Sequence, residues 1–306
     1  MRVPPTILRA GLRALRPLFT TDRLPLTTKR RFVDMIAGAS KVPAGVVVEC
    51  TALAGLPVER VTPPNTRPDS TILFLHGGGY ASGSARGYRG LAGAVAAAAG
   101  MEVVVADYRL APEHPFPAAL DDALDVYRAL LTQATTIAVA GDSAGGGLAL
   151  ALAQRIRDTS LPAPAALGLI CPWLDLALDQ AGARSAGKDP LIIPSLTTEW
   201  CTFYAGNRDA REPGISPIRG DFASLPPIIM HSAGDDPLAA DANALERQMA
   251  ARSSGPLIHR RYAHRWHDFH LQVGFFAEAD HAVGLFGRQL TELISAHHPR
   301  EDPHPR

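Results

Sequence analysis

The chain has 306 residues, of which 46% are hydrophobic, so it is long enough to bury a large core in one or two domains. Thirty basic residues balance thirty acidic ones, and this zero net charge creates no field that would attract nucleic acid. The composition therefore excludes nucleic acid as a predicted partner.

The N-terminal segment is basic and is predicted to be mostly helical, with interruptions at Pro17 and Pro25. Its first 31 residues hold eight Lys and Arg residues against one acidic residue, Asp22. An amphipathic helix of this kind can contact an anionic membrane surface peripherally, or it can pack its apolar side on its own protein. We favour packing on the protein. The large apolar residues recur at helical spacing: Leu8, Leu12, Leu15, Leu18 and Phe19.

The three cysteines Cys50, Cys171 and Cys201 form neither a disulfide framework nor a zinc-binding pattern. We interpret Cys50 and Cys171 as small buried apolar residues, and we expect no metal and no cofactor. The chain also lacks an apolar run long enough to span a membrane and the features of a signal peptide. Together these observations predict a cytoplasmic, reducing environment.

The rest of the chain alternates between predicted strands and helices. Strands are predicted at residues 46–50, 58–61, 71–75, 101–106, 136–140, 166–170, 227–231 and 257–262. Helices are predicted at residues 91–100, 118–131, 146–153, 196–204, 241–251 and 280–297. This alternation predicts the α/β class, with a mostly parallel central sheet flanked by helices. The first two strands are predicted to be antiparallel, because no helix separates them.

The most informative motif is Gly141-Asp142-Ser143-Ala144-Gly145, which fits the pattern G-x-S-x-G. A predicted strand precedes it and a predicted apolar helix follows, which is the context in which a sharp turn exposes a serine hydroxyl. Ser143 would then lie at a helix N-terminus, where backbone N–H groups favour negative charge. The motif predicts a nucleophilic serine.

A nucleophilic serine needs a general base, and the base needs a carboxylate to orient it. We choose Asp236, because Pro237 fixes the chain after it; Asp235 is the alternative, and Asp241 lies too far into the next helix. Three histidines compete for the role of base, and His267 is favoured because Trp266 and Phe269 flank it. The other two candidates are His264 and His270.

Acyl transfer also needs hydrogen-bond donors for the oxyanion of its transition state. The loop His76-Gly77-Gly78-Gly79 can supply backbone N–H groups, and Ala144 follows the serine directly. The glycines do not form a dinucleotide-binding fingerprint, because no acidic residue stands at the required distance.

These motifs together resemble those of the hormone-sensitive-lipase-like esterases of the α/β-hydrolase fold. The resemblance covers roughly residues 45–295 and rests on five segments: His76–Gly79, Asp107–Ala118, Gly141–Gly146, Asp236–Leu238 and Trp266–Phe269. It implies that Asp107–Ala118 is a structural signature, so that Arg109 and Glu113 are not catalytic.

The resemblance also implies the role of each site residue. Ser143 would be the nucleophile, Asp236 the orienting acid and His267 the base, and the N–H groups of Gly78, Gly79 and Ala144 would form the oxyanion hole. It implies a helical cap, built from residues 1–45 and an insertion at about 180–215, on a catalytic domain of residues 46–306.

The expected activity is hydrolysis of carboxylic esters with short to medium acyl chains, by a serine esterase or lipase-like enzyme without a cofactor. Trp200, Phe203 and Tyr204 favour a modest, apolar pocket. The same triad would also serve a lactone hydrolase, an amidase or a deacetylase. A non-catalytic small-molecule receptor is disfavoured, because Ser, Asp and His are all present. A small-molecule ester is the expected partner, and a homodimer stays open.

Overall fold

The computed structural model describes residues 2–21, 23–177, 188–252 and 255–297. Three helices open the chain: α1 (Pro5–Leu15), α2 (Pro17–Thr20) and α3 (Leu26–Ala37). The predicted helical character and its two breaks are confirmed. Leu12 and Phe19 are buried against the rest of the protein, whereas Ile7 is exposed. The apolar side of the first helices therefore packs on the protein itself.

A mixed sheet forms the centre of the fold. Its strands are β1 (Val47–Leu53), β2 (Leu56–Thr62), β3 (Ser70–Leu75), β4 (Glu102–Ala106), β5 (Thr136–Asp142), β6 (Leu167–Ile170), β7 (Ile228–Ala233) and β8 (Leu257–Tyr262). In the described chain they form one eight-stranded sheet in the order β1-β2-β4-β3-β5-β6-β7-β8. The β1–β2 pair is antiparallel, as predicted, and the β2–β4 pair is antiparallel as well. The other pairs are parallel, which confirms a mostly parallel sheet.

Helices cover both faces of this sheet. They are α4 (Arg89–Ala99), α5 (Ala118–Leu130), α6 (Ser143–Asp158), α7 (Pro194–Ala205), α8 (Ala239–Arg252) and α9 (Ala277–His297). Alternate residues of a strand point to opposite faces. In β3, Leu73 and Leu75 join a core with α5, α6 and α8, whereas Ile72 and Phe74 join a core with α4 and α9. Because both faces are covered, β3 is a continuous apolar run, as expected for a central parallel strand.

The carboxyl ends of the parallel strands β3, β5, β7 and β8 meet at one edge of the sheet. The segments that follow these strands carry every predicted site residue. In open α/β sheets this edge is where ligands bind, so the topology alone gathers the candidate groups.

Two further findings bear on the sequence predictions. Cys171 and Cys201 are buried, but Cys50 is exposed on β1, so its assignment as a buried apolar residue is wrong. The reason is that β1 is an edge strand with most of its residues exposed on both faces. Among the described residues, no helix is both long and apolar enough to cross a membrane.

Candidate active site

Ser143 stands at the sharp turn between β5 and α6. Its φ is +51°, the left-handed region that a non-glycine residue rarely adopts, and such strain is typical of functional positions. Gly145 makes the turn feasible, because a Cβ at this position would lie 1.9 Å from the Leu75 carbonyl oxygen. The turn places Ser143 at the first position of α6, at the edge where the strands end.

His267 and Asp236 form a hydrogen-bonded chain with Ser143. The Ser143 Oγ lies 2.8 Å from His267 Nε2, and His267 Nδ1 lies 2.9 Å from Asp236 Oδ2. The second oxygen of Asp236 accepts the Leu238 N–H at 2.8 Å, which fixes the carboxylate. All three residues are buried. The structure thus brings the three predicted triad residues together in one line.

The competing residues lie elsewhere. Asp235 turns away from the histidine and pairs with Arg9 at 2.7 Å. Asp241 accepts the N–H groups of Leu174 and Asp175. His264 is exposed. His270 is buried, and its Nε2 lies 3.2 Å from His231 Nδ1.

The electrostatic environment of His267 favours its protonated form. Burial by itself lowers the pKa of the ring, but the carboxylates of Asp236 and Asp268 outweigh this effect and hold the pKa well above its usual value. Asp268 was missed by the sequence analysis, although it is the next residue along the chain. Its Oδ2 lies 3.0 Å from His267 Nε2.

Asp142, the second residue of the elbow motif, was also given no role. It is completely buried, its Oδ1 accepts the Gly77 N–H at 2.8 Å, and its Oδ2 accepts the Tyr88 hydroxyl at 2.7 Å. Burial, followed by the charge of Asp268, raises its pKa well above the usual range. Asp142 therefore links the glycine loop to the elbow. Its place inside the motif was the only signal in the sequence.

The glycine loop approaches Ser143 from the end of β3. Gly78 and Gly79 have φ values of +116° and +64°, and their N–H groups donate no hydrogen bond within the described part of the chain. A Cβ on Gly79 would lie 2.2 Å from the Trp200 ring, so only glycine fits there. Ala144 lies in the first turn of α6, where N–H groups have no intrahelical partner. These three donors are available to a bound ligand.

A small pocket of about 80 Å³ opens in front of Ser143 and His267. Its apolar walls come from the N-terminal helices and from residues 191–200. The main apolar lining residues are Phe19, Val33, Ile36, Leu191, Leu196 and Trp200. Trp200 lies where the sequence predicted it. Phe203 and Tyr204 do not line the pocket, because Tyr204 stacks on Tyr80 in the core, with ring centroids 3.7 Å apart, and Phe203 packs against that core.

Asp189, which sequence reasoning also missed, ties the pocket wall to His267. One of its oxygens accepts the His267 N–H at 2.6 Å, and the other accepts the N–H groups of Leu191 and Ile192, both at 2.8 Å. Burial raises the pKa of Asp189 to about 6. The surrounding segment has no regular pattern, so nothing in the sequence distinguished this acid.

One group of side chains at this site is a candidate set of metal ligands. Among the described residues, Cys171, Asp236 and His267 place ligand atoms within 4.8 Å of one another. Burial raises the pKa of the Cys171 thiol well above its usual value, so the thiol stays protonated, whereas metals bind the thiolate. The imidazole and the carboxylate are already bonded to each other. This group fits a hydrogen-bonded acid–base pair beside a buried thiol.

The chain belongs to the family described as the alpha/beta hydrolase fold, whose sequence profile matches residues 72–271. It is 48% identical over 293 residues to the Mycobacterium tuberculosis protein named "Putative acetyl-hydrolase LipR", with 95% of each chain covered. It is also 38% identical over 261 residues to an acetyl-hydrolase of Streptomyces hygroscopicus, which covers 82% of this chain and 84% of that protein.

Solved structures give the same result. An esterase from the bacterial hormone-sensitive lipase family superposes with a TM-score of 0.89 at 31% identity, covering 96% of this chain and 100% of that one. A hormone-sensitive lipase from a metagenome library has a TM-score of 0.90 with the same identity and coverage. The predicted fold class and family resemblance are confirmed, and the chain is a carboxylic ester hydrolase.

Proposed function

We propose that this ester hydrolase works through a covalent acyl-enzyme formed on Ser143, with His267 as the general base and Asp236 as its orienting acid. The observation that carries the proposal is the unbroken chain from Ser143 Oγ to His267 Nε2, at 2.8 Å, and from His267 Nδ1 to Asp236 Oδ2, at 2.9 Å. This arrangement lets the ring take the serine proton while the carboxylate holds the ring in position.

The reaction proceeds in two halves. Ser143 Oγ attacks the ester carbonyl as its proton moves to Nε2, and the oxyanion receives hydrogen bonds from the N–H groups of Gly78, Gly79 and Ala144. His267 then gives the proton to the departing alcohol, which leaves the acyl group on the serine. Water, deprotonated by the same ring, attacks the acyl-enzyme and releases the carboxylic acid together with free Ser143.

We propose esters of short acyl groups, acetyl to butyryl, as the substrate class. The pocket is small and mostly apolar, which suits a short alkyl chain. Two similar proteins carry the name acetyl-hydrolase. The described residues favour no lactone or amide over an ester, so these alternatives enter the substrate panel as competitors.

The test is a series of p-nitrophenyl esters from acetate to palmitate, together with lactone and amide substrates. We expect kcat/KM to be highest for acetate to butyrate, and Ser143→Ala to lower kcat by at least about 10⁴-fold. Ser295→Ala is the matched control and keeps full activity, because this serine of α9 contacts Arg67 and the Thr291 carbonyl oxygen and does not line the pocket. A maximum at long chains would refute the substrate class, and an active Ser143→Ala would refute the mechanism.

We propose that residues 1–45 and the segment at about 180–215 together form a cap over the site, on a catalytic domain of residues 46–306. Residues 178–187 lie outside the described part of the chain. The proposal is supported by the shared pocket, to which α2 and α3 contribute one wall and residues 191–200 another. Lys29 of α3 also pairs with Glu199 of α7 at 3.3 Å.

This role competes with membrane contact by the same basic helices. Four of their eight basic side chains form ion pairs with the described part of the protein: Arg2 with Asp280, Arg9 with Asp235, Lys29 with Glu199 and Arg30 with Glu113. We therefore expect the protein to stay in the supernatant when vesicles rich in phosphatidylserine are sedimented at low salt. Sedimentation with these vesicles but not with neutral ones would favour a membrane role instead.

A cytoplasmic location stays a proposal, based on three cysteines without a disulfide.

A further inference from the structure

The imidazole of His267 has a carboxylate beside each of its two nitrogen atoms. Asp236 Oδ2 lies 2.9 Å from Nδ1, as the proposed triad requires. Asp268 Oδ2 lies 3.0 Å from Nε2, the nitrogen that must accept the serine proton, and Ser143 Oγ lies 2.8 Å from the same atom. Two oxygens thus compete for Nε2, and the triad needs only one of them.

The backbone explains how Asp268 reaches this position. Its φ and ψ are 49° and 36°, a left-handed conformation that Asp and Asn adopt more readily than other non-glycine residues. This turn brings the side chain of Asp268 back toward the ring of the preceding residue. The carboxyl group is buried and borders the pocket.

Two opposite effects act on the carboxyl group of Asp268. Burial raises its pKa above the usual value, whereas the positive charge of a protonated His267 ring, 3.0 Å from its Oδ2, opposes this shift. The pKa of Asp142, the other buried acid nearby, is raised well above its usual range by burial and then by the charge of Asp268. The contact with the imidazolium thus favours the charged form of Asp268 beside Nε2.

We propose that Asp268 is a positioning residue that accepts the Nε2–H of protonated His267, competes with Ser143 for this nitrogen, and thereby sets the pH above which the enzyme attacks esters. This inference rests on the proposed role of His267 as the base. Below that pH the Nε2–H is held by Asp268 and the serine has no base. Above it, Nε2 carries a lone pair and accepts the hydroxyl hydrogen of Ser143.

No proton is lost or gained by Asp268 during the reaction. The serine proton moves to Nε2, the imidazolium is stabilised by Asp268 as well as by Asp236, and the proton then passes to the alcohol. A base stabilised in its protonated form is a stronger base, so the same contact that shifts the pH range supports proton removal from Ser143.

The other groups around the ring do not supply a comparable charge at Nε2. The Cys171 thiol is neutral because burial raises its pKa, and His270 is neutral because burial lowers its pKa. Asp189 bonds the backbone N–H of His267 rather than the ring, and burial raises its pKa to about 6. Asp235 faces Arg9.

The test is the pH dependence of kcat/KM on p-nitrophenyl acetate, whose acidic limb reports the base of the free enzyme. Asp268→Asn and Asp268→Gly both remove the charge and both tolerate the left-handed backbone. We expect the acidic limb of each variant to lie about one pH unit or more below that of the wild type. At a given pH on the acidic limb, kcat/KM is expressed as a fraction of each enzyme's own plateau value. This fraction should be about tenfold higher in the variants than in the wild type.

Three controls make the result specific. Asp235→Asn removes a nearby carboxylate that does not touch the ring, and it should leave the acidic limb unchanged. Asp189→Asn shows how much of the acidic limb is caused by titration of Asp189. In the wild type, the midpoint of the acidic limb should lie above the ordinary imidazole pKa of about 6.5. This measurement does not depend on whether a variant folds.

An unchanged limb in a folded Asp268 variant, or a wild-type limb at or below the ordinary imidazole pKa, would overturn the inference. The failure of the proposed function is a different result, since it would appear as full activity in Ser143→Ala. An enzyme that depends on Ser143 but ignores Asp268 contradicts only the present inference.

Discussion

Two adjacent aspartates show how a single residue determines what the site can do. Asp235 and Asp236 have the same side chain and are both buried, but their carboxylates have different partners. Asp235 neutralises Arg9 of α1, whose second contact is the His264 carbonyl oxygen. Asp236 faces the imidazole of His267 and is held by the Leu238 N–H. The chemistry therefore depends on the direction of the side chain, which residue type alone does not give.

We predict that Asp236→Asn lowers kcat by about 10³–10⁴-fold, because an amide stabilises the wrong tautomer of the ring and cannot stabilise the imidazolium. Asp235→Asn is the matched control and should keep kcat close to the wild-type value. Steady-state kinetics on p-nitrophenyl acetate measures both. Equal losses in the two variants would contradict the assignment of Asp236 as the orienting acid.

At the scale of elements, the loop that carries His267 is anchored by buried histidines as well as by apolar packing. His270, in the short 3₁₀ turn after His267, contacts His231 on β7, and His231 in turn lies 3.3 Å from Gln289 of α9. Burial lowers the pKa of His231 to about 4. This polar link joins a central strand, the last helix and the catalytic loop.

This link predicts how stability depends on pH. The unfolded chain protonates this histidine below about pH 6.5, whereas the folded protein does so only near pH 4, so the free energy of unfolding falls as the pH falls between these values. The loss attributable to His231 is about 3 kcal/mol over that window. Urea denaturation at pH 7, 6, 5 and 4 should show a smaller loss for His231→Gln than for the wild type. Identical losses in the two proteins would refute this explanation.

At the scale of the whole molecule, the sequence predicts the layered fold much better than it predicts the pocket. Strands such as β3 are identified because both of their faces are buried, which leaves an unbroken apolar run. The elbow motif then indicates Ser143, Pro237 favours Asp236 over the alternative Asp235, and the flanking aromatic side chains favour His267 among three histidines. The sequence patterns that identify a strand or a helix are local. They can therefore be recognised without knowing which other strands or helices pack against it.

The parts that sequence reasoning missed depend on packing between distant segments. Asp189 contributes to the site because its segment lies against the His267 backbone and accepts the His267 N–H. Tyr204 lies outside the pocket because it stacks on Tyr80. Asp142 lies inside the elbow motif, and Asp268 lies inside the Trp266–Phe269 motif. Their pairing could not be predicted, because they are 126 positions apart in the chain and meet through two different loops.

The most direct test of the central claim is covalent labelling of the nucleophile. The protein is treated with a fluorophosphonate, and the modified residue is located by mass spectrometry of its peptides. We predict one adduct per chain, on Ser143, with loss of esterase activity in proportion to labelling and no adduct in Ser143→Ala. Inactivation with the adduct on another residue, or full labelling of Ser143 with activity retained, would contradict the account.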